Sequence, residues 1–399
     1  METVTALCGI GAEKVVSNEL RKLAGLYRVL ESGFGKVRFE TDIPGIYRAL
    51  MGLRCADRLL LEAGLFPAAD FDALFEGVKA IPWEAWIPDG MGVQVAKVRS
   101  NRSKLQSITT IQAMTHKAAA DRLCEKYHRN RLNETGPQAE IRVYVEKDQV
   151  SVLLDLSGEP LFKRGYRTEG GAAPIRETTA AALLFLANWR RKYPLYDPFC
   201  GSGTIAIEAA LYAWDAAPGL GRRFSLSELI PANPEIEAAV RQELLGKVNF
   251  ERTIRIYGSD TDTQAVSMAK SNVRRAYELA QGKTPGPGIR TEYSAEIRLP
   301  WLPDFSTKPM KAARSPEGLA AEPGFIITNP PYGKRLGEPA DAEALYGEMG
   351  DIGKRFPGWK LALITDHPGF ESHFGRKADV CRELTNGALD SYFYGYEIL

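Results

Sequence analysis

Between residues 175 and 365 the chain alternates helix-like and strand-like segments, and this alternation restricts the fold more than any other feature. The pattern predicts helices over 175–192, 204–214, 263–280 and 342–356, and strands over 195–197, 254–259, 325–328 and 360–365. Strands separated by helices cannot pair through tight hairpins. They lie parallel, with the helices covering both faces, as a doubly wound α/β sheet. The end breaks the rhythm: strand-like runs at 380–384 and 389–399 flank Asn386-Gly387. Asn-Gly readily takes a hairpin turn, so the sheet is expected to finish on an antiparallel pair.

The first half mixes shorter helices and strands. Val15, Val16, Leu20 and Leu23 fall near helical spacing within residues 12–24, as do Ile108, Ile111, Met114 and Ala118 within 107–127. Residues 37–40 and 92–99 alternate as strands do. Ile141, Val143 and Val145, then Val150, Val152, Leu154 and Leu156, alternate on either side of Lys147-Asp148, the pattern of a hairpin. Residues 161–173 change character, with Lys163-Arg-Gly-Tyr-Arg167 and Gly170-Gly171, and read as a domain junction. Residues 281–288 and 303–324, rich in Pro, Gly and Ala, read as loops.

At 399 residues the chain has room for two or three domains, and 44% hydrophobic with 25% charged residues is a globular balance. No apolar run approaches the ~20 residues of a membrane helix, and residues 1–15 lack a secretory signal pattern, so a cytoplasmic protein is expected. The five cysteines (Cys8, Cys55, Cys124, Cys200, Cys381) and four histidines are scattered, without CxxC or HExxH spacing. That points away from disulfides and leads to the expectation of a metal-free enzyme. The net charge is only +1, so any basic surface must be local. Residues 91–132 carry nine Lys and Arg, among them Lys97, Arg99, Arg102 and Lys104, against two acids, Asp121 and Glu125.

Three motifs sit where strands end. Asp197-Pro-Phe-Cys-Gly-Ser-Gly-Thr204 turns a strand into a helix; Gly201 and Gly203 permit a tight bend and close approach of a ligand, and the helix start offers free N–H groups to a carboxylate. The lysine of a triphosphate-binding P-loop is absent. Asp260, in Tyr257-Gly-Ser-Asp260-Thr-Asp262, is placed to accept from both ribose hydroxyls of an adenosyl group, with Asp262 assigned to cap the next helix. Asn329-Pro330-Pro331-Tyr332-Gly333 follows the last of the three strands. Its prolines fix a rigid turn that leaves the Asn329 side-chain oxygen and the Pro330 carbonyl as neighbouring acceptors. Two acceptors on the two N–H bonds of an exocyclic amine return electron density to a nitrogen that is otherwise delocalised into its base, and Tyr332 can stack on that base. Cys200 lies inside the glycine turn, where a small residue packs, and an amine target needs no covalent adduct.

Asp197–Thr204, Asp260 and Asn329–Gly333 resemble motifs of the Rossmann-like, S-adenosylmethionine-dependent methyltransferases that act on amino nitrogens. Residues 56–156 resemble a THUMP domain, an RNA-binding module, preceded by a ferredoxin-like segment over 1–55 and joined through a linker, 157–175, to a methyltransferase domain over 176–399. Leu154-Asp-Leu-Ser-Gly158, Lys163-Arg-Gly-Tyr-Arg167, Ala173-Pro-Ile-Arg-Glu-Thr178 and Asn329-Pro-Pro-Tyr-Gly-Lys-Arg-Leu-Gly337 are similar to the THUMP-containing family that makes N2-methylguanine in large-subunit ribosomal RNA, in its stand-alone Gram-positive branch. The resemblance implies S-adenosylmethionine as cofactor, held by Asp197, Pro198, Gly201, Gly203, Thr204 and Asp260. It implies catalysis by Asn329, Pro330, Pro331 and Tyr332, and 23S ribosomal RNA or a large-subunit assembly intermediate as partner. Lys97, Arg99, Arg102 and Lys104 then become phosphate contacts. Arg164 and Arg167 either bridge the domains or touch RNA. Two departures stand out: Lys334 stands where the family usually carries glutamate after this motif, and the acid expected after the third strand to contact the cofactor's adenine amine is not evident, Ser294-Ala-Glu296 occupying that region with Glu296 as the candidate. Other readings of the same motifs are a transfer-RNA guanine-N2 or adenine-N6 methyltransferase, or a catalytically silent RNA-binding ribosome-assembly factor.

Overall fold

The computed structural model describes residues 1–25, 27–133, 135–167, 175–283, 302–319, 322–331, 339–387 and 389–397. Strands β1 (Glu2–Cys8), β2 (Arg28–Gly33), β3 (Lys36–Thr41), β4 (Ala56–Pro67), β5 (Gly92–Asn101), β6 (Gln138–Glu146) and β7 (Gln149–Asp155) form one sheet in the order β2-β3-β1-β4-β7-β6-β5. Helices α1 (Glu13–Lys22), α2 (Ile43–Gly52), α3 (Phe71–Lys79) and α4 (Ile108–Tyr127) connect them. Alternation sets the buried face: Val4 and Ala6, Val37 and Phe39, Leu59 and Leu61, and Val150, Val152 and Leu154 all enter one core. The twelve-residue β4 pairs with β1 on one side and β7 on the other, so the ferredoxin-like and THUMP strands share a single hydrogen-bonded sheet. The β6–β7 hairpin has the expected register, with Val145 opposite Val150.

The second sheet contains β8 (Leu195–Asp197), β9 (Ile256–Asp260), β10 (Asp304–Thr307), β11 (Phe325–Thr328), β12 (Lys360–Thr365), β13 (Val380–Glu383) and β14 (Tyr392–Tyr396) in the order β10-β9-β8-β11-β12-β14-β13. Its first five strands are parallel and the last two antiparallel, giving the doubly wound sheet with a closing hairpin. Consecutive residues divide between two cores. Ile327, Ala362 and Ile364 join one, while Ile326, Leu361 and Leu363 join the other. A sheet buried on both faces reads as continuous apolar runs, as these strands do. Helices α5 (Glu177–Leu186), α6 (Thr204–Ala213), α7 (Pro234–Leu245) and α8 (Thr263–Ala280) belong to the first half of this unit, and α9 (Pro339–Met349), α10 (Ile352–Arg355) and α11 (Phe370–Phe374) to the second.

Two expectations change. The stretch 303–324, read as loop, holds β10, which pairs with β9; four residues with the single apolar side chain Phe305, between Pro303 and Pro309, give no periodic signal. The helix expected over 342–356 is two helices, interrupted at Gly350-Asp351. Among the described residues no helix is long and apolar enough to cross a membrane.

The core that includes Ile327 continues without a break into the amino-terminal sheet. Arg54 reinforces the junction by donating to the Ala216 carbonyl at 2.7 Å, and Arg164, Tyr166 and Glu208 cluster beside it.

Candidate active site

The order of the second sheet reverses at β8: the chain proceeds to β9 and β10 on one side and to β11 and β12 on the other. Connections diverge there, leaving a crevice at the carboxyl ends of the strands. A cleft of about 720 Å³ occupies that position. All three sequence motifs reach it.

The loop after β8 is shaped by its ends. Asp197 is buried; its Oδ1 accepts from the Thr328 hydroxyl at 2.6 Å and the Phe199 N–H at 3.1 Å, tying β8 to the end of β11. Gly201 has φ +50°, and a Cβ built on it meets nothing within 4 Å, so its α-carbon faces open cleft. Gly203 differs. It has φ +85°, and a Cβ there would stand 3.0 Å from both Ala269 Cβ and Phe305 Cζ. Gly203 is not among the residues that line the cleft, and this packing leaves no room for a side chain there. Thr204 opens α6 and does line the cleft, as does Pro198.

Asp260 accepts the Gly201 N–H on Oδ2 at 2.9 Å and the Asp262 N–H on Oδ1 at 3.0 Å. Its carboxylate is thereby fixed at the cleft wall. Asp262 caps α8 through the Gln264 N–H at 2.8 Å, as expected. At the end of β11, Asn329 is 7% exposed, lines the cleft, and its buried Oδ1 has no hydrogen-bond partner among the described residues. Pro331 also lines the cleft, and its carbonyl accepts from the buried Tyr346 hydroxyl at 3.3 Å. Pro330 is not among the lining residues. Tyr332, Gly333, Lys334 and Glu296 lie outside the described residues.

Sequence reasoning gave no role to Phe199, Lys311, Leu345 or Glu348, which also line the cleft. Phe199 was visible inside its motif. The others come from a patternless turn and from helix α9, where nothing in sequence marks the face that meets the site.

Burial pushes the Asp197 carboxyl up from 3.8 to about 7; the Thr328 and Phe199 hydrogen bonds oppose the rise, and the Asp260 carboxylate adds to it. The folded form therefore holds a proton that the unfolded chain releases near pH 4. Stability from this group is complete below that pH and is lost as pH rises toward 7. Asp197→Asn keeps an acceptor for Thr328 and Phe199 without the titration. Between pH 5 and 8 the wild type is expected to lose on the order of 3 kcal/mol more stability than the variant, measured by denaturant unfolding. Parallel curves would remove Asp197 from this account. Burial, with Asp197 and Asp260 nearby, also raises the Cys200 thiol well above its ordinary value, which leaves it a packed thiol and not a nucleophile.

The basic segment divides in two. Lys97 and Arg99 lie on β5, an edge strand, and Arg102 and Lys104 follow it; all four are exposed, and none makes an ion pair among the described residues. Farther on, Arg122 pairs with Glu84 at 2.5 Å and Arg129 with Asp89 at 2.7 Å. Arg164 and Arg167 correct an expectation. Arg164 is 2% exposed and donates to the Leu161 and Arg54 carbonyls. Arg167 is mostly buried and donates to Glu177 at 3.0 Å and the Ile175 carbonyl. Neither guanidinium is left for a phosphate; the bridging alternative fits both.

The cleft suits the cofactor that the motifs imply. A loop α-carbon facing open space leaves room for a ligand against the backbone, the acids Asp260, Asp262 and Glu348 suit a sulfonium, an amine and a diol, and α6 begins at the wall. A Rossmann-like sheet with this cleft, joined to a THUMP-type sheet, defines an S-adenosylmethionine-dependent methyltransferase.

Comparison with known proteins gives the family. Residues 164–281 and 305–394 match the RMKL-like methyltransferase domain, residues 3–60 the RlmL ferredoxin-like domain, and residues 68–155 the THUMP domain. The chain belongs to this RMKL-like methyltransferase family. YpsC of Bacillus subtilis (strain 168), which carries RNA methyltransferase in its name, is 37% identical over 99% of this chain and 95% of its own. Ribosomal RNA large subunit methyltransferase K/L of Syntrophotalea carbinolica is 32% identical over 97% of this chain, which spans about half (52%) of that protein. Among solved structures, a Clostridium difficile 630 protein described as a possible methylase superposes with TM-score 0.87 at 35% identity, covering 100% of this chain and 98% of that one. SMU.472 complexed with SAH gives 0.85 at 34%, with coverage of 100% and 98%. A Listeria monocytogenes protein named for N6-adenine-specific DNA methylation gives 0.85 at 37%, with coverage of 99% and 96%.

Proposed function

We propose that this protein methylates an exocyclic base amine in structured RNA, and that the amine is guanine N2 of 23S ribosomal RNA. The observation that carries the amine is the buried Asn329 Oδ1 at the cleft wall, which has no hydrogen-bond partner among the described residues. A buried amide oxygen left without a donor costs about 1–3 kcal/mol, so an arriving N–H has something to satisfy. The Pro330 carbonyl supplies the second acceptor, Pro331 holds the turn, and Tyr332 stacks on the base. S-adenosylmethionine supplies the electrophilic methyl group on its sulfonium. Asp260 accepts from the ribose hydroxyls, Gly201 leaves room for the adenosyl group, and the start of α6 at Thr204, beside Asp197 and Pro198, receives the amino-acid end. A paired guanine must leave its stack to reach Asn329.

RNA is supported by Lys97 and Arg99 on the β5 edge and Arg102 and Lys104 just beyond it, none of which makes an ion pair among the described residues, by the match to a THUMP domain, and by the names of the Bacillus and Syntrophotalea relatives. Guanine N2 rests on the family resemblance, because adenine N6 also presents two N–H donors. The test is transfer of labelled methyl groups to 23S ribosomal RNA or a large-subunit precursor, followed by nucleoside digestion and mass spectrometry. Label is expected in N2-methylguanosine. Recovery in N6-methyladenosine would overturn the base, and labelling of DNA in preference to RNA would overturn the substrate class.

The adenosyl placement has its own check. Gly201→Val sets a branched side chain into the cleft from a left-handed backbone position. SAH affinity measured by calorimetry is expected to fall at least tenfold, about 1.4 kcal/mol. Wild-type affinity in a folded variant would move the pocket elsewhere.

A further inference from the structure

Three side chains from separate elements meet where α9 and α11 pack at the end of β12. Glu343 lies in α9, His367 follows β12, and His373 lies in α11. The Nε2 atoms of His367 and His373 each stand 3.5 Å from the same carboxylate oxygen, Glu343 Oε1, and the three ligand atoms lie within 4.8 Å of one another. The two imidazoles are 5.5 Å apart and nearly perpendicular, at 84°.

These distances suit a shared cation better than hydrogen bonds. A charge-assisted N–H···O contact closes to about 2.7–2.9 Å. Ligand atoms roughly 2.0–2.2 Å from one tetrahedral ion are separated by roughly 3.3–3.6 Å. The side chains of His367, His373 and Glu343 are 19%, 34% and 39% exposed, so an ion can enter from solvent. The space between the rings is also kept clear. A Cβ on Gly369 would stand 3.2 Å from His367 Cε1 and 3.6 Å from His373 Nε2.

We propose that Glu343, His367 and His373 form a binding site for a divalent first-row transition-metal ion of the zinc class. Two imidazoles and one carboxylate are the donors such borderline ions take, and three protein ligands leave a fourth position for water. Ca²⁺ and Mg²⁺ call for oxygen ligands throughout. His367 Nδ1 accepts the Gly369 N–H at 3.1 Å, which places the ring proton on Nε2. Coordination through Nε2 transfers that proton to Nδ1 through solvent and gives up this one neutral hydrogen bond. Metal binding requires neutral imidazoles and an ionised carboxylate, so affinity falls in acid.

The ion's role is to clamp, not to react. It ties α9 and α11 to the end of β12. His367 packs edge-on against Tyr346, with ring centroids 5.5 Å apart, and the Tyr346 hydroxyl donates to the Pro331 carbonyl. The site therefore braces the helix that supports the Asn329-Pro330-Pro331 turn.

The experiment uses the full chain, stripped with a chelator and titrated with ZnCl₂ by calorimetry. One saturable Zn²⁺ per chain is expected, with Tm rising by about 3–6 °C at a hundredfold excess of free ion over Kd. Co²⁺ should give the intense visible absorption of a four- or five-coordinate site. His373→Ala and Glu343→Gln should each lose that site, while His116→Ala, at an exposed position in α4, retains it. Should either variant fail to fold, the wild type still decides. Zn²⁺ should protect His367 and His373 from diethyl pyrocarbonate, mapped by peptide mass spectrometry. Unchanged stoichiometry in His373→Ala, or equal modification of both histidines with and without Zn²⁺, would overturn the site.

Discussion

Asn329→Ala is expected to lower kcat for methyl transfer by about 100- to 1000-fold while leaving SAH affinity within about twofold, the size of effect seen when one group that meets the reacting centre is removed. Asn329 stands at the end of β11, and its buried Oδ1 has no donor among the described residues. A turn residue kept for the fold spends its oxygen on the turn, as Asp197 does with Thr328 and Phe199. Asn329 does not. Removing an unsatisfied buried acceptor relieves a desolvation cost, so the variant should unfold at the same temperature as the wild type or slightly above it. Three readouts therefore move differently: turnover falls, cofactor affinity stays, and stability holds or rises. A structural asparagine would give the reverse, with stability falling and turnover per folded molecule preserved. Single-turnover kinetics at saturating RNA, alongside thermal melts, separate the two; near-normal turnover in Asn329→Ala would end the amine-polarising account.

The parts of this molecule that sequence shows clearly are those in which neighbouring residues share one task. Asp197 to Thr204 must bend the chain between a strand and a helix, and Asn329-Pro330-Pro331 must form a rigid turn, so each declares itself within a few residues. The buried parallel strands β11 and β12 show as continuous apolar runs because both faces are covered. Legibility ends where the determining contact is distant. β10 is a strand because β9 lies beside it, and its four residues carry no period of their own. Arg164 reads as a free cation until Glu208 and the Arg54 carbonyl are brought to it across more than forty positions. Gly203 reads as one more glycine of a ligand loop until Ala269 and Phe305 close over it. Glu343, His367 and His373 have no spacing that marks them, since they gather only when α9 and α11 pack at the end of β12. The basic run over 91–132 shows the same limit: the charges are visible in sequence, and only the fold shows that Arg122 and Arg129 are paired with acids while Lys97, Arg99, Arg102 and Lys104 make no ion pair among the described residues.

That division sets the size of the last effect. Replacing Lys97, Arg99, Arg102 and Lys104 together by Glu is expected to weaken RNA binding by about a thousandfold at 0.1 M salt, since each neutralised phosphate releases roughly 0.7–0.9 of a counterion and four of them sum to about three decades. The log–log dependence of affinity on salt should become shallower by about three to four units, close to one for each phosphate no longer neutralised. The four side chains lie on the exposed edge strand β5 and in the turn beyond it, where no ion pair among the described residues depends on them, so the fold should persist. Lys97 pairs in register with Arg142, and burial together with Arg99, Arg142 and Arg58 lowers its ammonium from the ordinary value. A glutamate at that position gains cationic neighbours, and folding again does not suffer. Phosphate contacts position a nucleic acid without reading its sequence, so the weakening should be uniform across RNA sequences of one shape. It should appear in kcat/KM for RNA and leave kcat at saturation and SAH affinity unchanged, because the β5 edge belongs to the amino-terminal sheet and the cleft to the other. The control is Arg122→Glu with Arg129→Glu: two charges reversed in the same basic run, both already paired with acids, and therefore expected to leave the salt slope where it was. A quadruple variant that binds RNA with the wild-type slope would reduce the β5 edge to a solvated surface and move the RNA-binding face elsewhere.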